Sequence, residues 1–203
     1  MVSEGAKMKS FDNLGKSVSK FSVAILVSLA GMSAMAQKPE PQNYTGTATL
    51  CALVNPANVT TETEANGVTY IYNQILLFRI ETDSPLVTGW EVLTSNTKSS
   101  EDGGGYHWGE AVLTPDLGAG TLVDEFKFPV NQADNIRGTY IGTGDYEGTV
   151  VDYALGPFMN NLVSACPDVS TLCGTANYDC QPIPPGSGYH ISAKMRINED
   201  GAN

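Results

Sequence analysis

Residues 189–197, Tyr189-His190-Ile191-Ser192-Ala193-Lys194-Met195-Arg196-Ile197, decide the fold class. Tyr, Ile, Ala, Met and Ile alternate there with His, Ser, Lys and Arg without a break. Successive side chains of a strand point to opposite faces, so this period of two puts one face in a core and the other in water. The same reading extends back along the chain. Leu122, Asp124, Phe126 and Phe128 alternate with Val123, Glu125 and Lys127, and Ile136, Tyr140 and Ile141 flank a Gly-rich continuation. Residues 68–80, VTYIYNQILLFRI, are β-branched and aromatic, and predict one long strand or two joined by a bulge near Asn73-Gln74. Tyr70, Tyr72 and Phe78 are expected to share a face of it and to pack. Segments 44–54, 86–94, 106–114 and 148–155 bring the count to about eight strands.

The breaks in alternation fall on turn residues: Asn66-Gly67, residues 101–105 (EDGGG), Asp116-Leu117-Gly118 and Gly142-Thr143-Gly144. Many short strands with regular turns predict an all-β fold, an antiparallel β-barrel of about eight strands with a β-sandwich as the alternative. Residues 156–187 carry five prolines and three cysteines and show little alternation. They read as a disulfide-stapled C-terminal loop leaving the sheet, with one helical turn around Phe158–Val163, and not as a second domain.

The N-terminal stretch has another origin. Lys7, Lys9, Lys16 and Lys20 outweigh Glu4 and Asp12, an apolar run follows from Phe21 to Met32, and Ala34-Met35-Ala36 supplies small residues for a peptidase. Residues 1–36 therefore read as a signal peptide cut before Gln37, since the apolar run is shorter than the ~20 residues of a membrane span. The expected product, 37–203, is a single all-β domain exported to the periplasm or the medium, with no membrane contact after cleavage. The leader removes four of the 11 basic and two of the 22 acidic residues, leaving seven against twenty, a formal charge of −13. Such a surface repels phosphate backbones, so nucleic acid is not an expected partner.

All four cysteines, Cys51, Cys166, Cys173 and Cys180, lie in the exported part. An oxidising compartment makes them two disulfides, and the C-x6-C-x6-C spacing is not that of a zinc ribbon. Three pairings are open to four cysteines. One local bridge within 166–180 and one tie to Cys51 would join the C-terminal segment to the start of the domain.

Residues 142–148, GTGDYEG, preceded by Phe126-Lys127-Phe128 and Gly138-Thr139-Tyr140, resemble the G-T-G-x-[FY]-x-G turn of the allene oxide cyclase and dirigent-type eight-stranded barrels. The resemblance covers roughly residues 120–155, and Thr149, Val150 and Val151 stand where those families carry a further Gly. It implies the barrel; the families' catalytic residues have no identifiable counterparts here. The same run is no nucleotide loop, because Glu147 occupies the last Gly position of G-x-G-x-x-G and no P-loop Lys-Ser/Thr is present.

Candidate chemistry centres on the two histidines. A histidine brought into a barrel mouth beside Glu110, Glu125 or Asp152 would form a general acid–base pair. Alternation sends His107 to the face opposite Trp108 and Glu110, and sets His190 with Ser192, Lys194 and Arg196 on a polar face, where a half-exposed strand histidine is the plainer reading. His107, Glu110 and His190 are thus the catalytic candidates. There is no G-x-S-x-G or H-E-x-x-H, and the acids Asp145 and Glu147 or Glu101 and Asp102 lack the spacing of an EF-hand loop, so no metal or cofactor is expected. The expected function is binding of a small apolar molecule or a surface partner by a noncatalytic exported domain. A cofactor-free barrel cyclase or isomerase, and a structural component of an extracellular assembly, are the alternatives.

Overall fold

The computed structural model describes residues 41–132, 135–162, 166–167, 169–175, 178–184 and 186–197. Residues 1–36, expected to be a signal peptide, lie outside the described residues.

Among the described residues ten strands follow one another: β1 Gln42–Val54, β2 Thr60–Thr63, β3 Thr69–Thr82, β4 Gly89–Ser99, β5 Gly105–Pro115, β6 Gly120–Pro129, β7 Ile136–Gly144, β8 Thr149–Leu155, β9 Cys180–Pro182 and β10 Gly188–Ile197. Eight of them, in the order β1-β3-β4-β5-β6-β7-β8-β10, close into an antiparallel barrel because β1 pairs with both β10 and β3. Closure satisfies the backbone groups that an open sheet would leave at its edges. β2 pairs with the first residues of β3 and raises a flange beyond the closed wall, and β9 adds to the end of β1. These two short strands carry too few alternating residues to stand out in the sequence.

Alternation decides which side chains enter the barrel. On β10, Ile191, Ala193 and Met195 are buried while His190, Ser192, Lys194 and Arg196 are exposed. The interior cluster draws Ala48, Phe78, Ile80, Ala111, Leu113, Leu122, Phe126, Tyr140, Val151 and Tyr153 from the other strands. The bulge expected near Asn73-Gln74 is present: Asn73 has φ 59°, and the β3–β4 register shifts between Ile71 and Gln74. One extra residue reverses the parity of the strand. Phe78 therefore belongs to the interior cluster, while Tyr70 pairs opposite Lys98 on the outer wall, which corrects the expectation that Tyr70, Tyr72 and Phe78 share a face.

The turn expected at Gly142-Thr143-Gly144 also moves. β7 runs through Gly144, and residues 145–148 make the turn, with Gly144 and Gly148 at φ 61° and 78°. Tyr146 turns back beneath the barrel, buried, with its hydroxyl donating to the Leu117 carbonyl. Tyr44, Val87, Met195 and Tyr146 belong to the interior cluster at this end, and close it as a floor.

Within 156–187 the described residues leave the closed barrel wall, returning only as β9 on the end of β1, and the helical turn lies at α1, Ser170–Thr175, whereas residues 158–162 of the expected turn are not helical. Met159 instead bridges to Gly188 in extended backbone along the barrel rim. α1 and Tyr178 cover the outer face of the wall, where Leu172 and Cys173 pack with Ala52, Val54, Leu77, Trp90 and Val92 in a second core. The disulfides are Cys51–Cys166, with Cα atoms 5.5 Å apart, and Cys173–Cys180, at 6.1 Å. The β1–β3 register slips at Cys51, so the extra residue of that strand carries the long-range bridge. Among the described residues, no helix is long and apolar enough to cross a membrane.

Candidate functional site

Two carboxyl groups lie inside the barrel. Glu91 occupies an inward position of β4 between Gly89 and Leu93, and Asp124 an inward position of β6 between Leu122 and Phe126; they are 7% and 6% exposed. Each meets one phenol from a strand that is not its neighbour. The Tyr140 hydroxyl of β7 donates to Glu91 Oε2, and the Tyr153 hydroxyl of β8 donates to Asp124 Oδ2 at 2.8 Å. The two tyrosine rings stack with centroids 4.7 Å apart. Gly138 makes the space: a Cβ there would fall 2.3 Å from Asp124 Oδ2 and 2.4 Å from the Tyr153 hydroxyl.

Burial sets the protonation of this group. Desolvation pushes the Glu91 carboxyl up to about 7, against the pull of the Tyr140 hydrogen bond, and the nearby Asp124 adds to the rise. Asp124 is also raised by burial, with the Tyr153 hydroxyl and the backbone at Thr139 opposing. Both phenols are pushed upward by burial and by these carboxylates, so they stay protonated donors.

A cavity of about 80 Å³ adjoins Glu91, walled by Leu76, Phe78, Leu93, Phe126, Phe128 and Tyr189 among others. A volume of that order holds a few waters or the tip of an organic molecule. The inward-facing Leu76, Leu93, Phe128, Leu155 and Tyr189 are only partly buried, so the end of the barrel opposite the floor is a mouth open to solvent. Phe158, 41% exposed, stands against Tyr189 at that rim with ring centroids 5.1 Å apart.

Of the three candidates read from the sequence, only His107 enters the barrel. Its Nδ1 lies 2.8 Å from Thr97 Oγ1, its ring is 5.1 Å from Phe128, and burial lowers its pKa. His107 sits four residues along β5 from Ala111, the partner of Asp124, a separation of roughly 13 Å at the rise of a strand. It therefore belongs to the mouth and does not touch the carboxyl pair. Glu110 and Glu125 are exposed on the outer wall, and His190 is exposed on β10. Asp152 accepts from Thr139 Oγ1 at 3.0 Å and lies 3.3 Å from Arg196 Nε. No histidine is thus paired with Glu110, Glu125 or Asp152 among the described contacts. The turn acids serve their own loops: Asp145 Oδ2 accepts from the Ala119 N–H at 2.7 Å, and Asp102 Oδ1 from the Gly104 N–H at 3.0 Å.

Glu91, Tyr140 and Tyr153 are the interior residues that sequence reading misses as a site. The sequence Trp90-Glu91-Val92 sends the two apolar residues to one face and Glu91 to the other, which by itself reads as solvent. Both faces are covered here, because α1 packs on Trp90 and Val92 from outside. Asp124 left a plainer trace, alternating in step with Leu122, Phe126 and Phe128.

The architecture is that of an eight-stranded antiparallel barrel with a closed floor, an open apolar mouth and a buried carboxyl–phenol cluster. No family model matches the chain, no curated protein matches its sequence, and no solved structure matches its fold.

Proposed function

We propose that this chain is an exported binding protein that takes one end of a small, largely apolar molecule into the barrel mouth, with a polar atom of that molecule against Glu91. The apolar cavity beside a single desolvated carboxyl carries the reading. Small-molecule sites are mostly apolar and orient their ligand through a few well-placed polar groups. The cavity is too small for a whole drug-sized ligand, so the half-exposed rim of Leu93, Phe128, Leu155 and Tyr189 takes the remainder. Export rests on the charged-then-apolar leader and on the two disulfides, which are characteristic of oxidising compartments.

The test is displacement of a fluorescent apolar probe, 1-anilinonaphthalene-8-sulfonate or N-phenyl-1-naphthylamine, by medium-chain alcohols. Binding is expected in the native protein and lost in Leu93→Trp, whose indole fills the cavity. Probe binding equal in both would overturn the proposal.

A second reading, a cofactor-free isomerase or cyclase of the kind that the GTGDYEG resemblance suggests, is favoured by the carboxyl itself. A buried acid poised at about 7 next to a protonated phenol is suited to moving a proton within an apolar substrate.

A further inference from the structure

We propose that the outer wall formed by β3, β4, β5 and β6 binds an uncharged polysaccharide, at a site separate from the barrel interior. The strand registers lay out this wall as rows. One row runs Glu62, Tyr70, Lys98, Tyr106; the next runs Thr60, Tyr72, Trp108, Lys127 with Asn96 between the aromatic residues; the third pairs Thr94, Glu110 and Glu125. The Asn73 bulge is what turns Tyr70 and Tyr72 to this side. The rings form a continuous strip: Tyr70 stacks on Tyr72 at 5.8 Å and 7°, Tyr72 meets Trp108 edge-on at 6.5 Å, and Trp108 meets Tyr106 at 5.3 Å. All four rings are half-buried, and none belongs to either hydrophobic core. Beside them, Tyr106, Trp108, Glu110, Glu125 and Lys127 line an open groove of about 530 Å³.

A continuous strip of half-exposed rings outside any core suits an interaction site. The interleaved polar groups say of what kind. A dry protein interface concentrates apolar residues at its centre and excludes charge, whereas both ring-bearing rows here set a charged or amide side chain next to a ring. Lys98 and Lys127 are already engaged, their ammonium groups 5.4 and 4.3 Å from the Tyr70 and Tyr106 rings. Glu110 and Glu125 face each other directly across β5 and β6, a like-charge pair that disfavours the sheet, and neither has an ion-pair partner among the described residues. The polar groups that the strip offers a ligand are thus the acceptor carboxylates of Glu110 and Glu125 together with the Trp108 indole N–H and the tyrosine hydroxyls, which can donate. They suit a ligand rich in hydroxyl donors whose flat C–H faces stack on aromatic rings, which is the chemistry of a neutral glycan chain. Residues 37–203, with twenty acidic against seven basic residues, repel polyanions and anionic lipid.

The experiment is depletion of the purified, disulfide-intact protein by microcrystalline cellulose and by chitin, with fluorescence titration by cellohexaose and chitohexaose. Binding to at least one is expected, and Trp108→Ala and Tyr72→Ala should each weaken it about tenfold, the order of one lost stacking contact, with Trp108→Phe retaining part. Glu110→Arg, an exposed change that leaves the rings in place, should also abolish it, and Ile141→Thr, at an exposed apolar position on β7, should leave it unchanged. Thermal melts of every variant verify folding, and Glu110→Arg keeps the test decisive if a ring deletion fails to fold. No binding to either glycan, undiminished binding in all three strip variants, or preference for polygalacturonate would overturn the proposal. A Trp108-dependent dimer in sedimentation, without glycan binding, would overturn it in favour of a second copy of the chain. None of these outcomes touches probe binding in the barrel mouth.

Discussion

The floor and the mouth of this barrel are held by different forces. At the floor, Tyr44, Val87, Tyr146 and Met195 close over Leu113, Leu122 and Val151, and nearly every inward side chain is buried. At the mouth, Leu76, Leu93, Phe128, Leu155 and Tyr189 remain partly exposed, and the long-range bridge ties that side, joining Cys51 near the end of β1 to Cys166 in the segment beyond β8, while the Cys173–Cys180 loop is packed along the outer wall. An end that must stay open gives up burial, and the long-range bridge supplies order there that packing supplies at the floor. Stability and access are thus assigned to opposite ends of one sheet.

Three experiments break or sharpen that contrast. The largest effect is expected from Cys51→Ser with Cys166→Ser. The bridge closes a loop with a sequence separation of 115, for which chain entropy gives about 5 kcal/mol, so urea unfolding should show a loss of that order. Hydrogen exchange should accelerate first around β9 and the rim, with β6 and β7 near the floor following only on global unfolding.

Next come Leu122→Ala and Leu93→Ala, the same deletion at the two ends. Leu122 is fully buried, so its loss should cost about 3–4 kcal/mol. Leu93, at the half-exposed rim, should cost about 1 kcal/mol because part of its surface is already in water. Equal costs in urea titrations would show that the mouth is as tightly packed as the floor.

The third concerns pH. The Glu91 carboxyl is raised in the folded state, from 4.5 to about 7, so between those values the unfolded chain has lost its proton while the native chain keeps it. Stability from this residue is therefore full at pH 4, falls as pH rises towards 7, and levels off above it, by about 3 kcal/mol in all. Glu91→Gln should remove that slope, leaving the variant more stable than the parent at pH 8 by somewhat less than this amount and without advantage at pH 4. A parent whose melting point is flat between pH 4 and 8 would contradict the desolvated character of the carboxyl.

The barrel strands were legible because one wall faces water: the alternation in β10 and β6 marks inside and outside unaided, and in β3 the bulge near Asn73 was legible but not the reversal of facing it imposes on Tyr70 and Tyr72. The stapled loop was legible as an interruption by proline and cysteine, but its helical turn was misplaced, since Met159 follows the backbone of Gly188 and does not coil locally. The interior site was legible in part. Asp124 sits in step with apolar neighbours, whereas Glu91 hides between Trp90 and Val92, whose burial depends on α1, some eighty residues away in the sequence. His107 was correctly sent to the face opposite Trp108, but which carboxylates share the interior with it depends on strand register, which alternation alone does not fix.

Asn73 gives one strand two addresses. Below it, Leu76, Phe78 and Ile80 fill the vessel; above it, Tyr70 and Tyr72 face the surroundings. Deleting that single residue would restore one parity along β3 and swing both tyrosines into the mouth. The same small change would cork the barrel and strip half the aromatic rings from its outer wall, so capacity within and adhesion without are coupled through a single insertion.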